Sequence, residues 1–267
     1  MDRSTKVPLR TGRAMPLIGL GTWKLDKDTA EKIELAIEEG YTMIDTSGDY
    51  DTQPGIAEGL RHAGVTRGDI FIVTKVEETE DALESAKRNV GQLDIGHADL
   101  ILIHRPPQYG AGEPLWEGLQ RARDEGITRD IGVSNYSVEQ LEALMETSGE
   151  VPVVNQIEWS PFGFSDEMLE FCKRHGIVVQ AYSPLTRGEQ LGDARLATLA
   201  RAYGKSPAQM ILRWNLQRGT IPLPKAARRV HRRENLAVFD FEISQRDMDV
   251  IDGFNRHYSA LGELQYV

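Results

Sequence analysis

The chain has 267 residues, 40% of them hydrophobic and 27% charged, the composition of an ordinary globular protein. A formal net charge of −10 (31 basic against 41 acidic side chains) argues against a nucleic-acid partner held by phosphate neutralisation. One cysteine, no apolar signal core at the N-terminus and no apolar run of ~18 residues predict a cytoplasmic protein with no disulfide framework and no membrane partner.

Apolar runs and helical patterns alternate along the whole chain. Two short extended segments, 6–10 and 14–17, flank Thr11-Gly12-Arg13 and predict an N-terminal β-hairpin. The runs that follow show no polar alternation, which indicates strands buried on both faces of a parallel sheet. Eight such strands are predicted, at 18–23, 43–45, 71–75, 100–104, 131–133, 153–156, 178–182 and 221–223.

Helix-start signals lie between these runs. We predict a capping box from Asp28 and Glu31, a cap at Thr79, and a second capping box from Ser137 and Gln140. Cys172 lies within a helical pattern and is expected to be a small core hydrophobe. The predicted helices lie near 28–39, 54–63, 79–93, 115–125, 166–174, 195–217 (interrupted near 204–207) and 230–236, with one that begins at Ser137 and an additional C-terminal helix near 245–254.

Eight strands that alternate with helices predict an α/β fold, a (β/α)₈ TIM barrel that occupies residues 1–267 as a single domain. The N-terminal hairpin and the C-terminal helix are additions to it. An open doubly wound sheet is the alternative. Such a sheet usually carries Gly-x-Gly-x-x-Gly after its first strand, whereas residues 19–24 contain only the first two glycines.

Polar side chains end successive strands. Asp45 ends the second predicted strand, Lys75 the third and His104 the fourth, and Tyr50 follows Asp45 by five positions. Each has an ordinary structural explanation: a capping Asp, a Lys reaching solvent, or a structural His. In a barrel, however, all of them would converge on one cleft, and burying them costs several kcal/mol. A cation, an anion, an imidazole and a phenol together indicate proton transfer.

Other barrel chemistries fit the strand ends less well. No strand carries a His-x-His pair for zinc and carboxylates are sparse there, so no metal is expected. A retaining glycosidase needs acids at the fourth and seventh strands, which end here in His104 and Tyr182.

Eight segments, spread over nearly the whole chain, carry a family resemblance. They are Gly19-Leu20-Gly21-Thr22-Trp23, Ile44-Asp45-Thr46 with Tyr50, Val73-Thr74-Lys75, Leu102-Ile103-His104-Arg105-Pro106, Ile131-Gly132-Val133-Ser134-Asn135-Tyr136, Asn155-Gln156, Ala181-Tyr182-Ser183-Pro184-Leu185 and Ile221-Pro222-Leu223-Pro224-Lys225. Taken together, these segments make the sequence resemble the aldo-keto reductase family, in particular compact prokaryotic members of the 2,5-diketo-D-gluconate reductase type that reduce small aldehydes, ketones and keto-sugars.

The resemblance implies hydride transfer from a reduced nicotinamide to a carbonyl, with Tyr50 as the acid. Lys75, paired with Asp45, would lower the pKa of Tyr50, and His104 would orient the carbonyl oxygen. Tyr182 would stack on the nicotinamide ring. The cofactor-binding residues that the resemblance implies are Thr22, Ser134, Asn135, Gln156, Tyr182, Ser183, Leu185, Lys225, Arg228, His231, Glu234 and Asn235, with Arg187 also along the pyrophosphate.

The adenosine-phosphate segment departs from the family pattern. His231 stands where Arg is usual and Ala226 where Ser is usual, which weakens the expected contact with a 2′-phosphate. Arg228 can replace it bidentately, and three more arginines (229, 232 and 233) crowd the segment. NADP is the expected cofactor, with NAD or dual use as the alternative.

The substrate is expected to be a small carbonyl compound in an open pocket, because the loop at 107–113 and the tail after Asn255 are short. Trp23 is expected to line that pocket; Arg105, where many relatives carry Trp, faces either a substrate carboxylate or solvent. Two other functions remain open, a non-catalytic regulatory barrel that binds nucleotide and an isomerase or lyase with Lys75 as a Schiff-base amine. A monomer is expected.

Overall fold

The structure is a computed structural model that describes residues 1–25 and 27–266. Its strands are β1 (Lys6–Pro8), β2 (Ala14–Pro16), β3 (Leu20–Gly21), β4 (Met43–Asp45), β5 (Phe71–Val76), β6 (Ala98–Ile103), β7 (Thr128–Ser134), β8 (Val154–Glu158), β9 (Val178–Tyr182) and β10 (Ile221–Leu223). Its α-helices are α1 (Thr29–Glu38), α2 (Gln53–Ala63), α3 (Ala82–Leu93), α4 (Glu113–Asp124), α5 (Val138–Ser148), α6 (Asp166–His175), α7 (Ala194–Ala202), α8 (Pro207–Arg218), α9 (Arg229–Leu236) and α10 (Gln245–Asp252).

Strands β3 to β10 form one parallel sheet in chain order. The two edge strands, β3 and β10, meet at a seam, where the backbone N–H of Gly19 donates to Pro222 O (3.1 Å) and that of Gly21 to Pro224 O (3.3 Å). A Cβ at Gly21 would lie 2.9 Å from Leu223 O, so the seam needs a residue without a side chain there. The predicted (β/α)₈ barrel is confirmed, and helices α7 and α8 confirm the predicted interruption.

The N-terminal hairpin closes one end of the barrel. Strands β1 and β2 pair antiparallel, as predicted, with Lys6 opposite Pro16. Met15 is fully buried, and its sulfur accepts a hydrogen bond from Gln180 Nε2 in β9 (3.1 Å). Because the hairpin occupies the end where the strands begin, the end where they finish is left for a site.

The strands are buried on both faces, which explains their unbroken apolar sequences. All six residues of β5 are buried, including Thr74 and Lys75. Cys172 is buried among hydrophobic side chains, as predicted. Burial raises the pKa of its thiol to about 12, so the thiol stays protonated. Within the described part of the chain, no helix combines the length and apolarity needed to span a bilayer.

Two helix starts differ from the prediction. Asp28 precedes α1 in the left-handed conformation (φ 64°), and its side chain makes no capping hydrogen bond, so the capping box with Glu31 is wrong. The cap of α3 is Asp81, whose carboxylate accepts from Glu84 N (3.0 Å), and not Thr79. The capping box of Ser137 and Gln140 is confirmed. The first barrel strand, predicted at 18–23, is only two residues long, because Leu20 and Gly21 are the residues that pair with β4.

The C-terminal tail packs on a turn at residues 160–163. A Cβ at Gly163 would lie 1.9 Å from Tyr258 O, and Tyr258 N donates to Phe162 O (2.9 Å). We therefore expect Gly163→Ala to lower the free energy of unfolding by about 1–3 kcal/mol, since backbone atoms cannot yield as a side chain can. Gly192→Ala is the control, because nothing lies within 4 Å of its added Cβ. Equal stability of the two variants in denaturant would contradict this packing.

Candidate active site

A cleft of about 910 Å³ opens where the barrel strands end. It has the size of a small-molecule or cofactor site. Of the residues predicted from the sequence, those that line it are Thr22, Trp23, Asp45, Tyr50, His104, Arg105, Ser134, Asn135, Gln156, Tyr182, Ser183, Leu185, Arg187, Lys225 and His231. Lys75 lies behind this surface, and Arg228, Glu234 and Asn235 lie outside the lining.

A buried ion pair lies beneath the cleft. Lys75 Nζ donates to both carboxylate oxygens of Asp45 (3.0 and 3.1 Å) and to Thr46 O (2.7 Å). The two side chains are only 1% and 6% exposed. Although burial opposes a charge on Lys75, the Asp45 carboxylate raises its pKa, so the ammonium form is retained.

Tyr50 lies above this pair, in a short 3₁₀ turn that follows β4. The Lys75 ammonium nitrogen is 5.1 Å from the centre of its ring. Burial raises the pKa of the phenol, and the charge of Lys75 opposes that rise. Lys75 therefore acts in the predicted direction, but the net shift of the Tyr50 pKa is upward, opposite to the expectation. The phenol keeps its proton at neutral pH and can donate it.

His104 lies edge-on to Tyr50, with ring centres 5.9 Å apart. Its Nδ1 is 2.6 Å from Glu77 Oε1, and Asp49 Oδ1 is 3.8 Å from the same nitrogen. Sequence reasoning missed Glu77 and Asp49. The signal for Glu77 was present: an acid follows β5 directly, two positions after Lys75, where a strand end enters the cleft.

Amide and hydroxyl groups form the middle of the cleft. Gln156 Nε2 donates to Asp45 Oδ1 (2.8 Å) and Gln180 Oε1 (2.9 Å), and Ser134 Oγ donates to Gln156 O (2.7 Å). Asn135 donates to His104 O (3.0 Å) and accepts from the Tyr182 hydroxyl (2.8 Å). These bonds fix the side chains before any ligand arrives and leave oxygen lone pairs free to accept.

The backbone around the cleft is strained at several positions. Asn135 has φ 66°, and Ser183, Thr186 and Arg187 have φ of 46°, 51° and 52°. Left-handed conformations cost non-glycine residues free energy and concentrate at functional sites. Three of the four lie on the loop after β9, which turns back over the cleft.

The arginines in and next to α9 contact two different partners, Glu39 and His231. Arg229, Arg232 and Arg233 are all directed at Glu39 (3.3, 2.7 and 3.9 Å), whose side chain is 3% exposed. Arg232 is itself buried and also donates to Ala227 O. Three of the four arginines that crowd this segment are therefore directed at Glu39, where they stabilise the contact between α9 and the end of α1.

Arg228 is the arginine of this segment that faces away from Glu39. Its Nη2 is 3.0 Å from His231 Nε2, and since a guanidinium can only donate, the histidine nitrogen accepts. Lys225 is exposed at the same end of the cleft. Asn235 is 2% exposed, and its Nδ2 is buried with no hydrogen-bond partner among the described residues.

The other end of the cleft has a mixed, polar wall. Trp23 is 38% exposed, with the Arg187 guanidinium 4.3 Å from its ring centre. Arg105 lines the cleft, which favours the first of the two orientations considered for it. Glu78 also lines it, with a buried Oε2 that has no hydrogen-bond partner among the residues that the structure describes.

The C-terminal tail also contributes to this wall. Leu261 and Gln265 line the cleft, and the buried carboxylate of Glu158 anchors the tail by accepting from Ser259 Oγ (2.6 Å) and Ala260 N (2.8 Å). The pocket is therefore less open than the short tail suggested, because a buried carboxylate at the end of β8 holds the tail across it.

Comparison with known proteins gives one consistent family. The model of the Aldo/keto reductase family matches residues 17–256. The glyoxal reductase of Bacillus subtilis (strain 168) is 37% identical over 256 residues, which cover 94% of this chain and 92% of that protein.

Solved structures agree with this result. The crystal structure of an aldo/keto reductase from Brucella melitensis matches with a TM-score of 0.88 and 33% identity, over 94% of this chain and 99% of that one. An aldo-keto reductase of Bombyx mori in complex with NADP matches with a TM-score of 0.90 and 29% identity, over 97% and 95%.

Proposed function

Since this chain belongs to the aldo/keto reductase family of NAD(P)H-dependent oxidoreductases, we propose that it reduces small polar aldehydes and ketones to alcohols with NADPH, with Tyr50 as the acid. The observation that carries the proposal is the convergence of Tyr50, His104 and the buried Asp45–Lys75 pair at one end of a cleft of cofactor size. A protonated phenol beside a fixed ammonium group is suited to deliver a proton to a developing alkoxide.

The chemistry of the lining fits a nicotinamide dinucleotide. Tyr182 offers an aromatic wall in the middle of the cleft, and Lys225 and His231 offer basic groups at the far end. Gln156 uses both N–H groups on protein acceptors, so its Oε1 is free to accept from a carboxamide NH₂. NADPH, when bound, supplies the hydride.

Each catalytic side chain has one task in this mechanism. Tyr50 gives its proton to the substrate oxygen and regains one from solvent. Lys75 limits the rise of the Tyr50 pKa that burial causes, and Asp45 holds Lys75 in place. His104 donates a hydrogen bond that orients the carbonyl oxygen and stabilises its developing charge.

The proposed substrate class is the small, polar carbonyl compound, including dicarbonyls. The wall near Tyr50 carries Asp49, Glu78, Arg105 and Arg187 beside Trp23, so a hydroxylated or dicarbonyl compound finds hydrogen-bonding partners there. A large apolar ligand would leave these charges without water or partners. The relative named glyoxal reductase supports the same class.

NADPH and NADH oxidation with glyoxal, followed by absorbance, test the proposal directly. Turnover with NADPH well above that with NADH supports it. Comparable turnover with NADH would replace the proposed cofactor by the dual-use alternative. If both cofactors bind and neither is consumed, the non-catalytic regulatory barrel becomes the better account. A borohydride-trapped adduct on Lys75 would favour the Schiff-base lyase.

We expect Arg228→Ala to raise the KM for NADPH by about 10- to 100-fold and to leave the KM for NADH nearly unchanged. Arg228 donates a hydrogen bond to His231 at the cofactor end of the cleft, and one charge-assisted phosphate contact stabilises binding by about 1.5–3 kcal/mol. Arg229→Ala is the matched control, because Arg229 is exposed yet directed at Glu39. Equal effects of the two substitutions on both cofactors would show that Arg228 does not read the 2′-phosphate.

A further inference from the structure

The carboxylate of Glu77 makes a short hydrogen bond to the active-site imidazole. Its Oε1 lies 2.6 Å from His104 Nδ1, and Ser47 Oγ donates to the same oxygen (3.2 Å). The Glu77 side chain is 21% exposed and that of His104 is 8% exposed. Burial alone would raise the pKa of Glu77, but the hydrogen bond and the charge of His104, with Ser47 and Arg105, hold it below its usual value. Glu77 is therefore a carboxylate acceptor.

This contact determines where the imidazole carries its protons. A carboxylate can only accept, so Nδ1 of His104 must be protonated. A neutral imidazole has one N–H, so a neutral His104 in this orientation would present a bare Nε2 to the cleft. A bare nitrogen cannot donate to a carbonyl oxygen. Only the imidazolium ion bonds Glu77 and a substrate carbonyl at the same time.

Two carboxylates lie close to Nδ1 of His104. Asp49 Oδ1, on the turn after β4, adds a second carboxylate 3.8 Å from Nδ1. From the same turn Tyr50 presents an uncharged ring edge, and the Lys75 charge beneath it is paired with Asp45. The remaining groups that face this end of the cleft are the acidic Glu78, the basic Arg105 next to His104, and the neutral Tyr182, whose hydroxyl is bonded to Asn135.

We propose that Glu77 is a positioning residue for His104: it holds the ring with Nδ1–H on the carboxylate and keeps it an imidazolium ion whose Nε2–H donates to the substrate oxygen. The carbonyl part of this inference rests on the proposed function, whereas the Glu77–His104 ion pair does not. Glu77 touches neither substrate nor proton donor. His104 keeps its proton throughout, and Tyr50 supplies the one that forms the O–H bond.

The first test is the pH profile of kcat/KM for glyoxal with NADPH, recorded with EDTA present. Glu77→Gln keeps the size and the acceptor oxygen but removes the charge. We expect the fall of kcat/KM at alkaline pH to move to lower pH by about one unit or more. At pH values well below this fall, kcat/KM should change much less. Glu77→Asp should restore part of the profile. Glu80→Gln is the control, because Glu80 lies on the same segment but bonds Arg88 and Ser85.

A second readout does not depend on turnover. The ¹⁵N chemical shifts of His104, assigned with a His104→Gln variant, report the protonation of each ring nitrogen. We expect both nitrogens to be protonated at neutral pH in the natural protein, and a neutral ring at the same pH in Glu77→Gln. A neutral ring protonated at Nε2 in the natural protein, or identical titrations in both, would overturn the proposal. Absence of NADPH oxidation with intact shifts would instead refute the proposed function.

Discussion

Replacing Tyr50 by phenylalanine should lower kcat by about 10²- to 10⁴-fold, the usual contribution of a positioned general acid. The ring, its edge contact with His104 and its position over Lys75 are retained, and only the proton is lost. Affinity for NADPH should change little, since the hydroxyl is not among the groups that fit the dinucleotide. Steady-state turnover with glyoxal and fluorescence titration of NADPH measure the two effects separately.

Tyr109→Phe provides the matched control. Tyr109 is 83% exposed on the loop after β6, and loss of its hydroxyl should leave kcat unchanged. If Tyr50→Phe kept turnover within about tenfold of the natural protein, another group would have to supply the proton. His104 would then be the leading alternative, because it lies beside Tyr50 and its Nδ1 is hydrogen-bonded to Glu77.

The sequence was sufficient for the barrel and for the four converging side chains, and the reason is local. Apolar residues fill most of these strands, so Asp45, the last residue of β4, and His104, directly after β6, stand out as strand ends. Lys75 lies inside β5 and is buried, and its pairing with Asp45 makes a charge tolerable at that position.

What the sequence could not supply depends on neighbours distant in the chain. Arg232 and Glu39 are 193 positions apart. Because Glu39 also pairs with Arg229 and Arg233, three arginines of the predicted cofactor segment are directed at this carboxylate. Glu158 and Ser259 are 101 positions apart, and their contact draws the tail over the cleft. The sequence shows a basic segment at α9 and a short C-terminal tail. It does not show that the first contacts the buried carboxylate of Glu39 and the second that of Glu158.

The second large effect concerns the buried pair. Lys75→Met should lower the free energy of unfolding by about 3–5 kcal/mol, because the Asp45 carboxylate is then left buried without its cation. For a chain of this length the melting temperature should fall by roughly 10 °C. Activity should fall as well, since nothing then opposes the rise of the Tyr50 pKa that burial causes. Thermal unfolding and turnover measure the two consequences.

The double variant Asp45→Asn/Lys75→Met separates stability from catalysis. It removes both charges, so much of the lost stability should return, whereas turnover should stay low because the ammonium group beside Tyr50 is still absent. Asp45→Asn alone keeps that ammonium group but leaves it buried and unpaired, and should destabilise the fold too. If the double variant recovered turnover together with stability, Lys75 would serve only to hold the barrel end together, and the role proposed for its charge would be wrong.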